Sequence, residues 1–417
     1  MPIIAHTGLD VHEATIRVFA SDPDTGTILI DQTVLYSESC VKKHFKKWSA
    51  KYDLRCCYEA SGCGYVLQRW LSSINVSCVV VAPSLVPRRP GDRVKTDRRD
   101  AIKLSKSYRS DELTFVRIPT EQEERDRRVV RHRDTMVRRV VRTKNQIQKF
   151  LVSLGVKNPF QSSWTEQHRT WLKSLNFSDE DSFVLTELLE QLTFETTRLA
   201  AVTERVEEMA KSELYRDRVA KVMCLRGFSY VSAMVLVTEI IDFSRFASPR
   251  HLMSFLGLTP SEASSGKSRR LGGITKCGNT RCRHIIVEAA GHYRNKPRIS
   301  SSLKKRQAGQ DDAVIAHCWK AQERLYKKYW GVANRKKEKG KATVATGREL
   351  VGFIWAIMTG NFTQVEKSRP HSATKPMSVE GAKLHEALQV QQALQIINAS
   401  DPRLVELMRE RLQLSCA

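Results

Sequence analysis

Acidic residues, long apolar runs and paired cysteines are all scarce in this chain of 417 residues. Asp and Glu total 45 against 69 Lys and Arg, a formal charge of +24. A surplus of that size calls for a polyanionic partner or a cell surface, with a merely soluble basic protein as the plain alternative. Nucleic acid comes first, because each neutralised phosphate releases a counterion. No apolar run is long enough to cross a bilayer; the longest late one covers only residues 351–358. The first apolar stretch is broken by His6 and Asp10 and does not read as a signal peptide. The ten cysteines contain no C-x-x-C pair and no zinc-finger spacing. Most sit in apolar runs, as Cys78 does in VSCVVVA, and read as reduced core residues of a cytosolic protein. Cys277, Cys282 and His284 could hold a metal, but core or surface roles are preferred for them. The expectation is a cytoplasmic protein with no membrane segment.

Hydrophobic residues make up 41%, enough for globular packing, and the length calls for two or three domains. Residues 3–9, 14–20 and 27–34 read as three strands in a meander, with Pro23, Asp24 and Gly26 supplying turn chemistry. A helix at 41–51, a strand at 54–58, a helix at 65–74 and a buried strand at 76–82 follow. A Pro- and Arg-rich loop then leads to a helix from Asp97. The order β-β-β-α-β-α-β is an α/β layer fold. Residues 121–154 are helical and Arg-rich, from Arg125 to Arg142. Leu185, Leu188, Leu192, Glu195, Leu199, Val202, Val206 and Met209 then alternate in steps of three and four, the seam of a coiled coil with one polar exception. Self-association and packing within the subunit fit that seam equally. Residues 219–241 are apolar and helical with a break at 225–229. Residues 257–283 read as a Gly-, Ser- and Lys-rich loop, helices resume at 284–292, and 335–341 is a basic run broken at Gly340. The tail after Ser368 carries two short helical patterns, at 381–398 and 402–414. The predicted architecture is α/β plus all-α: residues 1–120, a basic helical and coiled-coil region at 121–215, a mainly α-helical part at 216–358, and a helical tail at 359–417.

Four acids stand at informative places. Asp10 ends the first strand in GLDVHEATI, and Glu59 ends the fourth in CYEASGCGY. Asp97 and Asp100 lie three apart at a helix start in KTDRRDAIKLS, which puts them on one face. Acids leaving adjacent central strands converge at one end of a sheet, and a cluster of that kind repels itself without a cation. Hard divalent ions such as Mg²⁺ take such oxygen ligands and support phosphoryl transfer. Singly, each acid has a structural reading: Asp10 a turn cap, Glu59 an Arg partner, Asp97 an N-cap with Asp100 at N3.

The segments GLDVHEATIRVFASDPDTG, YEASGCGY and KTDRRDAIKLS resemble the catalytic motifs of the DEDD transposases encoded by insertion sequences of the family numbered one-hundred-and-ten, with its eleven-eleven subgroup. The stretch from CLRGFSYVSAM through FLGLTPSEASSGKSRRLGGITKCGN to AAGHY is similar to that family's C-terminal transposase domain. The resemblance covers about residues 4–110 and 219–358. It implies a RuvC-like, ribonuclease H-type domain with Asp10, Glu59, Asp97 and Asp100 holding Mg²⁺ (Mn²⁺ as a substitute). It implies a nucleophilic serine before a glycine, here Ser265 with Ser264 adjacent, attacking a DNA phosphate through a transient phosphoserine. It also implies a structured bridge RNA that pairs with donor and target DNA, and dimers that join into a tetramer pairing one subunit's carboxylates with another's serine. A guide read through shape and backbone suits a strongly basic chain with 7% aromatic residues. The Gly227-Phe228-Ser229 turn departs from a G-x-G hairpin at Ser229, so Lys267, Arg269, Arg270, Lys276, Arg281 and Arg283 are the preferred phosphate contacts. The expected function is DNA strand cleavage and exchange. The alternatives are a metal-only nuclease of the Holliday-junction type and an inactive nucleic-acid-binding relative.

Overall fold

The computed structural model describes residues 2–87, 96–265, 268, 270–336 and 338–362. Strands β1 (Ile3–Val11), β2 (Thr15–Ser21) and β3 (Ile28–Leu35) form the antiparallel meander, and the Asp22 carboxylate closes one turn by accepting from the amides of Asp24 and Thr25. Ser37 caps α1 (Glu38–Ser49) through its hydroxyl. Then come β4 (Tyr52–Glu59), α2 (Val66–Ser72) and β5 (Ser77–Val81). The sheet order is β3-β2-β1-β4-β5, with β4 parallel to both β1 and β5.

Period-two alternation gives this sheet two working faces. Cys56, Tyr58, Cys78 and Val80 point into a core with Val41, Phe45 and Trp48 of α1 and Leu67 and Leu71 of α2. Cys57 and Val81 point the other way, onto Leu104 of α3 (Asp97–Arg109). That second face also carries Gly8, where α3 crosses β1 so closely that a Cβ would lie 2.0 Å from the Ala101 carbonyl oxygen. The Ser105 hydroxyl donates to the His6 carbonyl at 2.6 Å in the same crossing.

The long helix α4 (Glu121–Ser153) opens with a reciprocal capping box between Thr120 and Glu123. After α5 (Glu166–Ser174), α6 (Asp179–Lys211) runs back antiparallel along α4. Thr143 donates to Glu195 at 2.7 Å, and Arg133 donates to Thr203 at 2.9 Å. Leu185, Leu192 and Val206 of the heptad stripe are buried; Leu185 and Leu192 pack with Val140, Ile147 and Leu151 of α4. The stripe is therefore used within the subunit, and its one polar member, Glu195, is buried and hydrogen-bonded by Thr143 and Gln191. Outer positions Phe183 and Phe194 stay exposed.

The break at 225–229 separates α7 (Arg216–Met223) from α8 (Tyr230–Ile240), whose N-cap is Ser229. Helix α9 (Pro249–Phe255) follows. Residues 257–283, read from sequence as loop, contain a hairpin of β6 (Pro260–Glu262) and β7 (Leu271–Ile274). Its pairing is made by backbone groups, which a Gly- and Ser-rich sequence supplies without an alternating apolar pattern. Helix α10 (Thr280–Gly291) starts earlier than the sequence suggests, because the Asn279 side chain caps it. Then come α11 (Ser301–Gln307), α12 (Asp312–Lys336) and α13 (Lys339–Thr359). Gly340 does not break a helix; it lies in the first turn of α13, where backbone amides need no intrahelical partner. Among the described residues no helix is long and apolar enough to cross a membrane. The predicted tail patterns at 381–398 and 402–414 lie outside the described residues. The chain thus has a mixed α/β N-terminal part with one main sheet and a largely helical remainder.

Candidate active site

Parallel strands β1 and β4 end side by side: Leu9 is in register with Tyr58, so Asp10 and Glu59 follow each other on neighbouring strands. By alternation both carboxylates leave on the face that carries α3. Helix α3 begins at that same end. Its N-cap is Thr96, whose hydroxyl accepts from the Arg99 amide, so Asp97 is not the cap but the first helical residue. Asp97 and Asp100 occupy the first turn, where the helix dipole favours negative charge. Arg98 fixes this end of α3 laterally: its guanidinium is 2.7 Å from Asp31 on β3, which Arg17 on β2 also pairs. The Arg98 hydrogen bond is the main cause that holds the Asp31 carboxyl below its usual range, with the charges of Arg17 and Arg98 adding to it against burial.

Within this frame a residue not singled out from sequence joins the carboxylates. The His12 imidazole Nε2 lies 3.1 Å from Asp10 Oδ2 and 3.5 Å from Asp97 Oδ1. Donor atoms of Asp10, His12 and Asp97 all fall within 4.8 Å of one another. Glu59 flanks the group on β4 and Asp100 follows on α3; neither belongs to the tight trio. Burial pushes the Asp10 carboxyl above its usual range, the hydrogen bond and charge of His12 oppose this, and the charges of Asp100 and Asp97 add to the rise. A half-buried acid facing two like charges is the electrostatic condition in which a divalent cation is stabilising. The donor set, two carboxylates and one imidazole open to solvent, fits such an ion.

Ser265 stands elsewhere, near the tip of the β6–β7 hairpin. Its amide donates to the Ser268 carbonyl at 3.1 Å, and the reverse bond measures 3.0 Å. The two neighbouring serines differ: the Ser264 hydroxyl donates to Glu262 Oε1 at 2.8 Å. Both serines are exposed. The hairpin lies between α9 and α10, so Ser265 is carried by a different element from those that carry Asp10, His12 and Asp97. At the root, Gly278 has φ +93°, and a Cβ there would meet the Phe255 carbonyl oxygen at 2.0 Å. Next to it Asn279 serves two elements: Oδ1 accepts from the Cys282 amide, while Nδ2 donates to Glu239 Oε2 at 2.8 Å.

Glu239 is a second residue that the sequence does not single out. Its side chain is 1% exposed, and Arg131 on α4 grips both carboxylate oxygens at 2.7 and 2.9 Å. Burial alone would raise its pKa; the Arg131 hydrogen bonds and charge, Asn279 and Arg127 outweigh that and hold it low. A single acid in the apolar run VLVTEII was the available signal.

Of the predicted phosphate contacts, Arg270 and Lys276 are exposed on and beside the hairpin. Arg281 pairs with Asp134 at 3.3 Å, and Arg283 donates to the Leu256 carbonyl at 2.9 Å. Lys267 and Arg269 lie outside the described residues. Cys277 is exposed, Cys282 is buried and His284 faces Glu288 at 3.4 Å; these three do not form a metal group.

Comparison with known proteins assigns the same segments. Residues 7–155 match a family described as transposase, the DEDD type of IS110 elements. Residues 219–304 match the family described as transposase IS116/IS110/IS902. The Sinorhizobium fredii protein y4qE, which carries a transposase name, is 36% identical over 85% of this chain and 88% of its own length. The transposase for insertion sequence element IS1533 of Leptospira borgpetersenii is 32% identical over 80% of this chain and 98% of its own. With both halves matched in order, the chain belongs to the IS110/IS116 family of insertion-sequence transposases.

Proposed function

We propose that this transposase cuts and rejoins DNA through a phosphoserine formed on Ser265, assisted by a divalent metal site built on Asp10, Glu59, Asp97 and Asp100. The observation that carries the reading is the convergence of Asp10 and Asp97, distant in sequence, at one end of the sheet beside Glu59. The strand order β3-β2-β1-β4-β5 with acids at the ends of β1 and β4 supports a ribonuclease H-like, RuvC-like assignment for residues 1–120. When bound, Mg²⁺ would polarise the scissile phosphate and stabilise charge on its oxygens.

In the proposed step the Ser265 Oγ–P bond forms as one P–O bond to deoxyribose breaks. The seryl proton passes to a base, and the departing sugar oxygen takes a proton. Attack by a hydroxyl of the second DNA returns the phosphate to DNA and the proton to Ser265, so phosphodiester energy is conserved and strands are exchanged. The exposure of Ser265 suits a group that meets its substrate at a protein surface. Its position on a different element from the carboxylates supports completion of the site by another subunit, in dimers that join into a tetramer. Exposed Phe183 and Phe194 on the α4–α6 hairpin offer apolar surface for that assembly. Arg270 and Lys276 are positioned to contact DNA phosphates, and the charge of +24 suits a structured bridge RNA as well as donor and target DNA.

The test is a strand-exchange reaction with protein, Mg²⁺, donor and target DNA and the element's RNA, resolved on denaturing gels. A covalent protein–DNA adduct is expected with the wild type and is lost in Ser265→Ala; Asp10→Ala loses strand exchange while retaining DNA binding. Cleavage without any adduct would replace this reading with a metal-only nuclease. Binding without chemistry would leave an inactive binder.

A further inference from the structure

We propose that His12 is itself a ligand of the metal held by Asp10 and Asp97, and that its imidazole makes this site select Mn²⁺ over Mg²⁺. The inference rests on the reading of Asp10 and Asp97 as metal-binding carboxylates and adds a nitrogen donor to it.

Three observations lead to it. One imidazole nitrogen faces both carboxylates, at 3.1 Å from Asp10 and 3.5 Å from Asp97. A single N–H directs one good hydrogen bond, and 3.5 Å is too long for the second. The same nitrogen that is hydrogen-bonded to Asp10 also stands within ion-pair distance of Asp97. Ligands at right angles around an ion with bonds of about 2.1 Å stand about 3 Å apart, close to both distances. The three donor atoms also all lie within 4.8 Å of one another, near enough to share one ion after a small rearrangement. Finally, the His12 side chain is 52% exposed on the turn that leaves β1, so a small rotation of the ring reorganises no packed core.

The chemical consequence follows from ligand type. Mg²⁺ is bound by oxygen and keeps several waters, whereas imidazole suits first-row transition ions, with Mn²⁺ the member of that series most at home among carboxylates. Replacing one oxygen or water by a ring nitrogen therefore raises Mn²⁺ affinity more than Mg²⁺ affinity.

The experiment measures Mn²⁺ binding to the full-length protein without nucleic acid, by the loss of the free-ion paramagnetic resonance signal, with Mg²⁺ as competitor. Pulsed resonance on the bound ion then looks for nitrogen-14 coupling from a coordinated imidazole. The wild type is expected to show that coupling and His12→Gln to lack it while still binding Mn²⁺. The Mn²⁺/Mg²⁺ affinity ratio is expected to fall about tenfold or more in His12→Gln. Absence of nitrogen coupling in the wild type, or an unchanged ratio in the variant, overturns the inference. Asp10→Asn separates the underlying reading from this one: wild-type Mn²⁺ affinity in that variant would mean that the carboxylates do not form the site at all.

Discussion

At position 8 the fold tolerates only hydrogen as a side chain, because the Ala101 carbonyl occupies the place of a Cβ. Gly8→Ala is expected to lift α3 from β1 and to destabilise by about 1–3 kcal/mol or more. Because α3 carries Asp97 and Asp100, the proposed metal site predicts a thermal upshift with Mg²⁺ or Mn²⁺ in the wild type that is weaker in Gly8→Ala, which differential scanning calorimetry with and without metal would record. An equal metal-induced shift in both proteins would mean that the α3 crossing does not position the site. Asp10 and Glu59 are legible in the sequence because each ends an apolar, strand-like run. His12 is not, since it lies on an exposed turn and its relation to Asp97 exists only once α3 is docked. Ser265 is preferred over Ser264 only because it precedes Gly266; the bond from Ser264 to Glu262 appears only in the folded hairpin.

Among the elements, the tie between α4, α8 and the start of α10 is the most demanding electrostatically. Glu239 is buried while its partner Arg131 is 43% exposed, so Glu239→Ala is expected to lower the stability measured by urea unfolding by less than the about 3–5 kcal/mol lost when a fully buried pair is broken. The pH dependence has a definite sign. The Glu239 pKa is held below its ordinary 4.5 in the folded state, so its stabilisation is complete above that value and is lost as the pH falls through the folded value. The stability gap between wild type and Glu239→Gln should therefore narrow below about pH 4.5. A gap that widens in acid would contradict the assignment. The helices and strands of the N-terminal part are legible within a few residues, because their apolar periodicities are undisturbed. The β6–β7 hairpin is not, since PSEASSGKSRRLGGI has no alternation to reveal pairing made by backbone alone. The heptad stripe shows an apolar seam without saying which helix fills it; α4 of the same chain does.

For the molecule as a whole, the charge of +24 predicts DNA binding that weakens steeply with salt. Exposed Arg270 and Lys276 are the residues proposed for that surface, whereas Arg283 donates to the Leu256 carbonyl. Arg270→Ala and Lys276→Ala are each expected to reduce the slope of log K against log salt by about 1, in titrations followed by fluorescence anisotropy. An unchanged slope would remove the hairpin from the DNA interface. The sheet order has a further consequence for how the chain is made. Of the five strands of this sheet, β1 is the first to be synthesised, and it ends in the middle. On the ribosome β2 and β3 can pair with it at once, but its other edge stays open until residues 52–59 emerge. During that interval the nascent chain presents an unpaired apolar edge, which makes this early window the one in which a chaperone would matter most. The group of Asp10, His12 and Asp97 is completed only when α3 has followed, so no chain made only as far as β5 carries it assembled.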